Sequence, residues 1–297
     1  MMGTIEMLSD PAEARTFQTF TFPKLRDALS APPPGVLAVG LRVGGRPAGL
    51  ALGSVVESEA RLDSVMVEPP SRRKGLGVTL LAAFEHAAAD QGAKAVGTSY
   101  SSRLPQRAAF EGVLRRGGWA APDIHLVRAS GHPQAILDWA ATQKGGRRLV
   151  VEDTYAVIGW DEITDEDIAS IRRVMARPGS NPDFDPLNQG FLVEPATSFV
   201  LRRQGEVVGW LLGERVDQRT IFYHCAHMVP EFQRQGRLLS VFIETHRRQK
   251  ALLGGDSIWQ ITTNPAVTPF MAAFIRRRLA EHSLWVDEMW RSRKALT

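Results

Sequence analysis

The chain runs to 297 residues, 44% hydrophobic and 23% charged, which is long for one ordinary domain, comfortable for two, and too apolar for a disordered polymer. Its 36 Lys and Arg against 32 Asp and Glu leave a net charge of +4 with no basic block interleaved with aromatics, which disfavours a nucleic-acid partner and only weakly favours an anionic ligand. A lone cysteine, Cys225, excludes an intrachain disulfide and fits a reducing, cytoplasmic compartment, while the acidic start and the lack of a long apolar run argue against export and membrane spanning.

In chain order, a short strand is expected from Thr4 to Leu8, then a helix spaced through Phe17, Phe20 and Leu25 to Leu29, stopped by the prolines of "SAPPPG". Val36 to Val43 and Ala48 to Val56 read as a hairpin turned at Gly44-Gly45, and Arg61 to Val67 as a further strand. After a Gly-punctuated turn, Leu80, Leu81, Phe84 and Ala88 mark one face of a helix that Gly92 closes. "KAVGTSY" predicts a strand, "PQRAAFEGVLRRGG" a helix and "DIHLVRA" a last strand. His132 to Arg148 reads as a linker helix ending in Gly145-Gly146.

The second half repeats this order. "TYAVIGWDEI" predicts a strand, and "TDEDIASIRRVM" a helix that Thr164 caps with acids in its first turn. "SFVLRRQGEVVGWLLGERV" is a hairpin turned near Gln204-Gly205, "TIFYHCAHMV" a strand, Leu238 to Leu253 a helix, "SIWQITT" a strand and "PFMAAFIRRRL" a helix. The expected organisation is a domain over 1–131, the linker helix over 132–148 and a second domain over 149–297. Each is a mixed α/β (α+β) unit, a mostly antiparallel sheet flanked by helices.

Two turns carry the chemistry. "VEPPSRRKGLG", Val67 to Gly77, returns as "MVPEFQRQGRL", Met228 to Leu238, with Gly75 and Gly236 161 positions apart (236 − 75). A strand that ends where a helix begins leaves backbone N–H groups pointing outward at the positive end of the helix dipole, which suits an anion. Gly75 and Gly77 would let a phosphate approach the backbone, and Arg72, Arg73 and Lys74 add charge; glycines that merely make a tight turn explain the same residues.

With its flanking strand and helix, and with the repeat, the turn resembles the signature V-x-P-x-x-[QR]-x-x-G-x-[GA] of the GNAT acyltransferase superfamily. Val67, Pro69, Arg72, Gly75 and Gly77 fill it, whereas the second copy keeps Met228, Pro230, Gln233 and Gly236 but places Leu238 where a small residue belongs. The Rossmann and P-loop fingerprints are both absent. The resemblance implies two tandem GNAT-like domains and acyl-CoA, most often acetyl-CoA, as cofactor. It implies that Val65, Met66 and Val67 flank the pantetheine arm, and that Arg72, Arg73, Lys74, Gly75, Leu76, Gly77 and Val78 serve the pyrophosphate. In the second copy the corresponding residues are Ala226, His227, Met228, Arg234, Gln235, Gly236, Arg237 and Leu238, with Leu238 putting binding there in doubt.

Acyl transfer from a thioester needs a deprotonated amine, a stabilised carbonyl oxygen and a protonated leaving thiolate. Alternation places Asp63 on the face of Val65 and Val67, making it the carboxylate candidate; a plain hydrogen bond to a loop explains it equally. The tyrosine that the family often carries in the late helix falls at Leu114, and Tyr100 replaces it only by pointing into the cleft. His224 aligns with Asp63 in the second copy, near Tyr223 and His227, as a base candidate or an ordinary strand residue. Asn264 matches an asparagine common in the family, and Cys225, expected on the face opposite His224, reads as a small buried residue. His224 and His227 lack an acidic partner in the sequence, so no metal site is expected. The loop Ala176 to Phe191 lies where the family shapes the acceptor site. The expected function is transfer of an acyl group to a primary amine of a small molecule, peptide or protein, with a non-catalytic acyl-CoA sensor or other thioester chemistry as rivals.

Overall fold

The computed structural model describes residues 3–142, 154–235 and 237–296, with the side chains of 234 and 235 excepted. The end of the expected linker helix and Gly236 therefore lie outside the described residues. The chain divides into two compact units, Met1–His125 with Glu288–Thr297, and Leu126–Asp287.

Unit 1 is a sheet of β1 (Gly3–Met7), β2 (Val36–Val43), β3 (Arg46–Val56), β4 (Glu59–Val67), β5 (Ala95–Ser101) and β12 (Trp285–Ala295), in that order. All its neighbours run antiparallel except β4 and β5, which the crossover helix α3 (Leu76–Asp90) makes parallel. The β2–β3 turn sits on Gly44 and Gly45 with φ of +58° and +78°, the geometry of a two-residue hairpin loop. Leu37, Val39 and Leu41 meet Leu80, Leu81 and Phe84 of α3, and the alternate residues Ala38, Leu50 and Leu52 pack on the other face with Phe17 and Leu29. A helix α4 (Arg107–Arg116) completes the α3 side, on which Leu114 is buried.

The expected early helix is broken into α1 (Pro11–Arg15), two 3₁₀ turns and α2 (Asp27–Ser30). Thr16, Thr19, Thr21 and Pro23 explain this, because β-branched residues resist helix and proline removes a donor. Only Asp10 supplies a side-chain cap there, accepting from the Ala12 N–H at 2.9 Å.

Unit 2 repeats the sheet as β7 (Tyr155–Gly159), β8 (Phe199–Arg203), β9 (Glu206–Arg215), β10 (Thr220–Met228), β11 (Ile258–Thr263) and β6 (Asp123–Gly131). Here β10 and β11 are the parallel pair, joined through α7 (Arg237–Leu253). The helix α6 (Asp165–Met175) starts in a capping box between Thr164 and Asp167. The linker segment forms α5 (Pro133–Thr142), which belongs to unit 2 and packs on α7. The late helix α8 (Pro269–Phe274) widens into a π turn over Ile275–Leu279. No described helix is long and apolar enough to cross a membrane.

The last strand of each sheet comes from the other half of the sequence. "DIHLVRA" does not close the first copy; from Val127 to Gly131 it pairs antiparallel with β11. Unit 1 takes β12 instead, Met289 to Ala295 lying against β5. No strand is expected at β12 from sequence, because "WVDEMWRSRKA" mixes charge and apolar residues without a clean period of two. Division along the chain at 132–148 and division into compact units are thus different cuts.

Candidate active site

The same irregularity marks the parallel pair in both units. β4 and β5 are paired from Glu59/Ala95 only as far as Leu62/Thr98, and β10 and β11 only from Thr220/Ile258 to Tyr223/Ile261. Just past each last pair the register on the antiparallel side slips by one: Gly53 faces Leu62 while Leu52 faces Ser64, and Gly213 faces Tyr223 while Leu212 faces Cys225. Asp63 and His224 are therefore the extra residues of two β-bulges, which bend the strand and free one of its edges. The free edges run over Asp63–Val67 and His224–Met228, the segments expected beside a pantetheine arm.

The bulge also overturns the expected alternation. Leu62, Val65 and Val67 all pack towards α3, which a separation of three forbids in a regular strand. Asp63 goes instead with Arg61, whose Nε lies 2.7 Å from its Oδ1, and Ser64 bonds Thr21 at 2.8 Å. In unit 2 the bulge residue and its neighbour both meet the loop over 184–191, where the sequence expected them on opposite faces: the His224 ring stacks on Phe191 at 4.3 Å and Cys225 donates to the Phe184 carbonyl at 3.4 Å.

In unit 1 the motif turn begins as a 3₁₀ turn, Pro69–Ser71, and passes through Arg73 and Gly75 at φ of +60° and +81°. Gly75 caps α3 without a side-chain bond, and a Cβ built there would meet nothing within 4 Å. Helix geometry leaves the first-turn N–H groups of Leu76 and Gly77 without an intrahelical acceptor, and Val78 and Thr79 turn theirs to the Gly75 carbonyl. The result is an open, donor-rich helix start beside the exposed Arg73.

Three motif residues have other work. Arg72 Nε donates to the Val67 carbonyl at 2.8 Å and Nη1 to Gln106 at 3.0 Å, while Lys74 Nζ folds back to the Pro70 carbonyl at 2.8 Å. Gln233 repeats the brace in unit 2, donating to the Met228 carbonyl at 2.9 Å, which gives a physical reason for Gln or Arg at that position. A Cβ on Gly77 would lie 3.3 Å from Val113 Cγ2, so its smallness serves the contact of α3 with α4 as well as any phosphate.

The second turn is built differently. The register pairs Tyr155 with Arg203 as it pairs Gly3 with Val43, and Arg237 takes the place of Leu76. The guanidiniums of Arg203 and Arg237 lie 5.6 Å and 5.1 Å from the Tyr155 ring, and Phe232 meets Tyr155 edge-on at 6.3 Å. Cations stacked on aromatics thus crowd a helix start that unit 1 leaves open.

The acid–base candidates separate. Tyr100 is buried in the core on the α3 side, edge-on to Phe110 at 5.0 Å, and gives its hydroxyl to Glu111 at 3.0 Å. Burial first, and that bond second, raise its pKa well above the usual phenol value, so it is a poor acid. His224 has the acidic partner that the sequence did not reveal: Nε2 lies 2.9 Å from Glu214 Oε2, and the ring centroid of Phe222 lies 4.0 Å from that of His224. His227 stacks on Trp210 at 4.6 Å, and burial lowers its pKa. Asn264 accepts from the Ala266 N–H at 2.9 Å, a turn-forming role. Sequence reasoning also missed the pair Ser99 Oγ and His125 Nε2, 2.8 Å apart in unit 1, because the partners sit on separate strands with no shared motif. No cluster of metal-ligating residues occurs among the described residues.

Residues 3–111 match the model of the acetyltransferase (GNAT) family. A comparison with curated proteins gives no match. Among solved structures, a tandem GNAT protein from the clavulanic acid biosynthesis pathway aligns over 100% of this chain and 99% of its own, at TM-score 0.51 and 13% identity. A GCN5-related N-acetyltransferase from Sphaerobacter thermophilus aligns over 99% and 96%, at TM-score 0.53 and 14% identity. The glucosamine N-acetyltransferase region of a fungal multi-domain β-N-acetylglucosaminidase is matched over 98% of this chain and 38% of that one, at TM-score 0.55 and 14% identity. At such identities these likenesses are likenesses of fold. Residues 3–111 thus match the GNAT family, and the chain as a whole has the fold of tandem two-domain GNAT proteins.

Proposed function

We propose that the protein is an acyl-CoA-dependent N-acyltransferase, with unit 1 holding acetyl-CoA and passing its acetyl group to a primary amine. The observation that carries this reading is that an open helix start at Gly75 follows directly on the strand edge that β4 frees at Asp63. The N–H groups at the start of α3, with Arg73, would take the pyrophosphate; the free edge of Val65, Met66 and Val67 would pair with the pantetheine arm. Bound there, the cofactor supplies an activated thioester. Arg72 and Lys74 keep the turn in shape. The acceptor is an amine of a small molecule or of a peptide or protein chain. Unit 2, whose turn is crowded by Tyr155, Arg203 and Arg237, is the weaker candidate for the cofactor.

Calorimetric titration with acetyl-CoA tests this on wild type, Gly75→Glu and Gly236→Glu. Binding lost in Gly75→Glu and kept in Gly236→Glu is expected; unaltered binding in both variants sinks the cofactor assignment. One observation favours a second reading, a non-catalytic acyl-CoA sensor: Leu114 occupies the expected tyrosine position and Tyr100 is committed to Glu111. Intact binding with no thiol released across an amine panel would select the sensor.

A further inference from the structure

The geometry points to Ser99 and His125 as the proton-accepting pair of unit 1, a role that rests on the acetyl-CoA reading for that unit. Val96, Thr98 and Tyr100 alternate on the buried side of β5, so Ser99 projects from the opposite face, where it is exposed. It is also the first residue of β5 past the last β4 pair, Leu62/Thr98, and therefore stands at the mouth of the gap that the Asp63 bulge opens. His125, half-buried on β6, reaches the Ser99 hydroxyl with Nε2 at 2.8 Å. The competing groups are engaged elsewhere: Asp63 is paired with Arg61, and Tyr100 points to Glu111 on the far face.

Two further ion pairs involve the neighbouring strand β12. Asp123 on the same strand as His125 accepts both arms of Arg291 from β12, at 3.1–3.2 Å, and Arg293 is bonded to Glu59 at 2.5 Å. In the proposed step the lone pair of the neutral acceptor amine would form the bond to the thioester carbon, and the N–H proton that this bond makes acidic would pass to Ser99 Oγ as the hydroxyl's own proton passes to His125 Nε2. The carbon–sulfur pair would then leave with sulfur and the proton held by His125 would return to that sulfur, so that no proton is gained or lost overall. The arrangement requires a neutral His125 with its proton on Nδ1 and Nε2 accepting from serine.

Two readouts test it on the full chain. Two-bond ¹H–¹⁵N spectra of the histidine rings, with His125→Gln identifying the signal, should show the Nδ1-protonated form above the titration range and its loss in Ser99→Ala. An Nε2-protonated His125 in the wild type, donating to serine, overturns the role without reference to turnover. In acetylation of primary amines, His125→Gln should bind acetyl-CoA as the wild type does and lose roughly 100-fold in kcat/KM, together with the rise of kcat/KM with pH that a free base gives. Full rate and an unchanged pH profile in His125→Gln overturn the pair while leaving the cofactor reading intact. Failure of the wild type to bind acetyl-CoA overturns that reading and this role with it.

Discussion

Replacing Lys294 by methionine removes a charge from β12 that α3 depends on. Glu85 of α3 is 6% exposed, and its carboxylate accepts from Trp119 Nε1 at 2.7 Å and from Lys294 Nζ at 2.5 Å. Lys294 also donates to the Gly117 carbonyl at 2.7 Å. Methionine keeps the length and apolar stem of the side chain but leaves Glu85 a buried anion with one neutral donor. Breaking a fully buried pair costs about 3–5 kcal/mol; with Lys294 29% exposed and the Trp119 bond surviving, about 2 kcal/mol is the scaled expectation. For a unit of this size that is a fall of roughly 6 °C in Tm, read by tryptophan fluorescence or calorimetry. Adding Glu85→Gln to Lys294→Met removes the stranded charge and should recover at least half of the loss, a coupling that a double-mutant cycle measures. Lys294→Met within about 0.5 kcal/mol of wild type, or a double variant no better than the single one, would refute the reasoning.

Burial holds His246 neutral, its pKa pushed down to about 4 against an ordinary 6.5, with Nδ1 donating to the Phe242 carbonyl at 2.6 Å. Since the unfolded chain takes up this proton first, stability should fall as pH drops from about 6.5 to about 4, by about 3 kcal/mol from this group; His246→Leu should flatten that part of the urea-midpoint profile. Gly77→Ala should cost stability by crowding Val113 and should be relieved by Val113→Ala, with acetyl-CoA affinity, measured by calorimetry, moving less than 10-fold; a larger loss of affinity that Val113→Ala does not restore would assign Gly77 to the phosphate instead. Cys225 is 1% exposed with its thiol pKa pushed up to about 12 by burial, so alkylation in the native protein should run at least about 100-fold slower than in urea.

Much of the fold was legible because strands, helix faces and Gly turns announce themselves locally. The hairpins at Gly44-Gly45 and Gln204-Gly205, the Thr164 cap and the apolar stripe of α3 are all written within a dozen residues. What escaped is set by non-local pairing. The exchange of β6 and β12 depends on which sheet offers an edge, and no short window of sequence contains that choice. The bulges at Asp63 and His224 likewise arise from cross-strand register, so an alternation argument that is sound up to Leu62 fails one residue later. At the candidate site, the motif read as an anion cradle keeps its open helix start, but Arg72 and Lys74 turn out to brace the loop, a use that charge alone cannot reveal. Glu214 and His125 stayed hidden because their partners are distant in sequence.

The pairing of Met289 with Ser101 joins residues 188 positions apart (289 − 101). On the ribosome, α3 and the turn at Gly75 emerge long before the strand that finishes their sheet, and every residue of unit 2 must be made in between. Until then β5 presents an unfilled hydrogen-bonding edge, the kind of surface that recruits other chains. Any ligand that binds at the Gly75 turn before β12 arrives would steady the half-built unit during that wait.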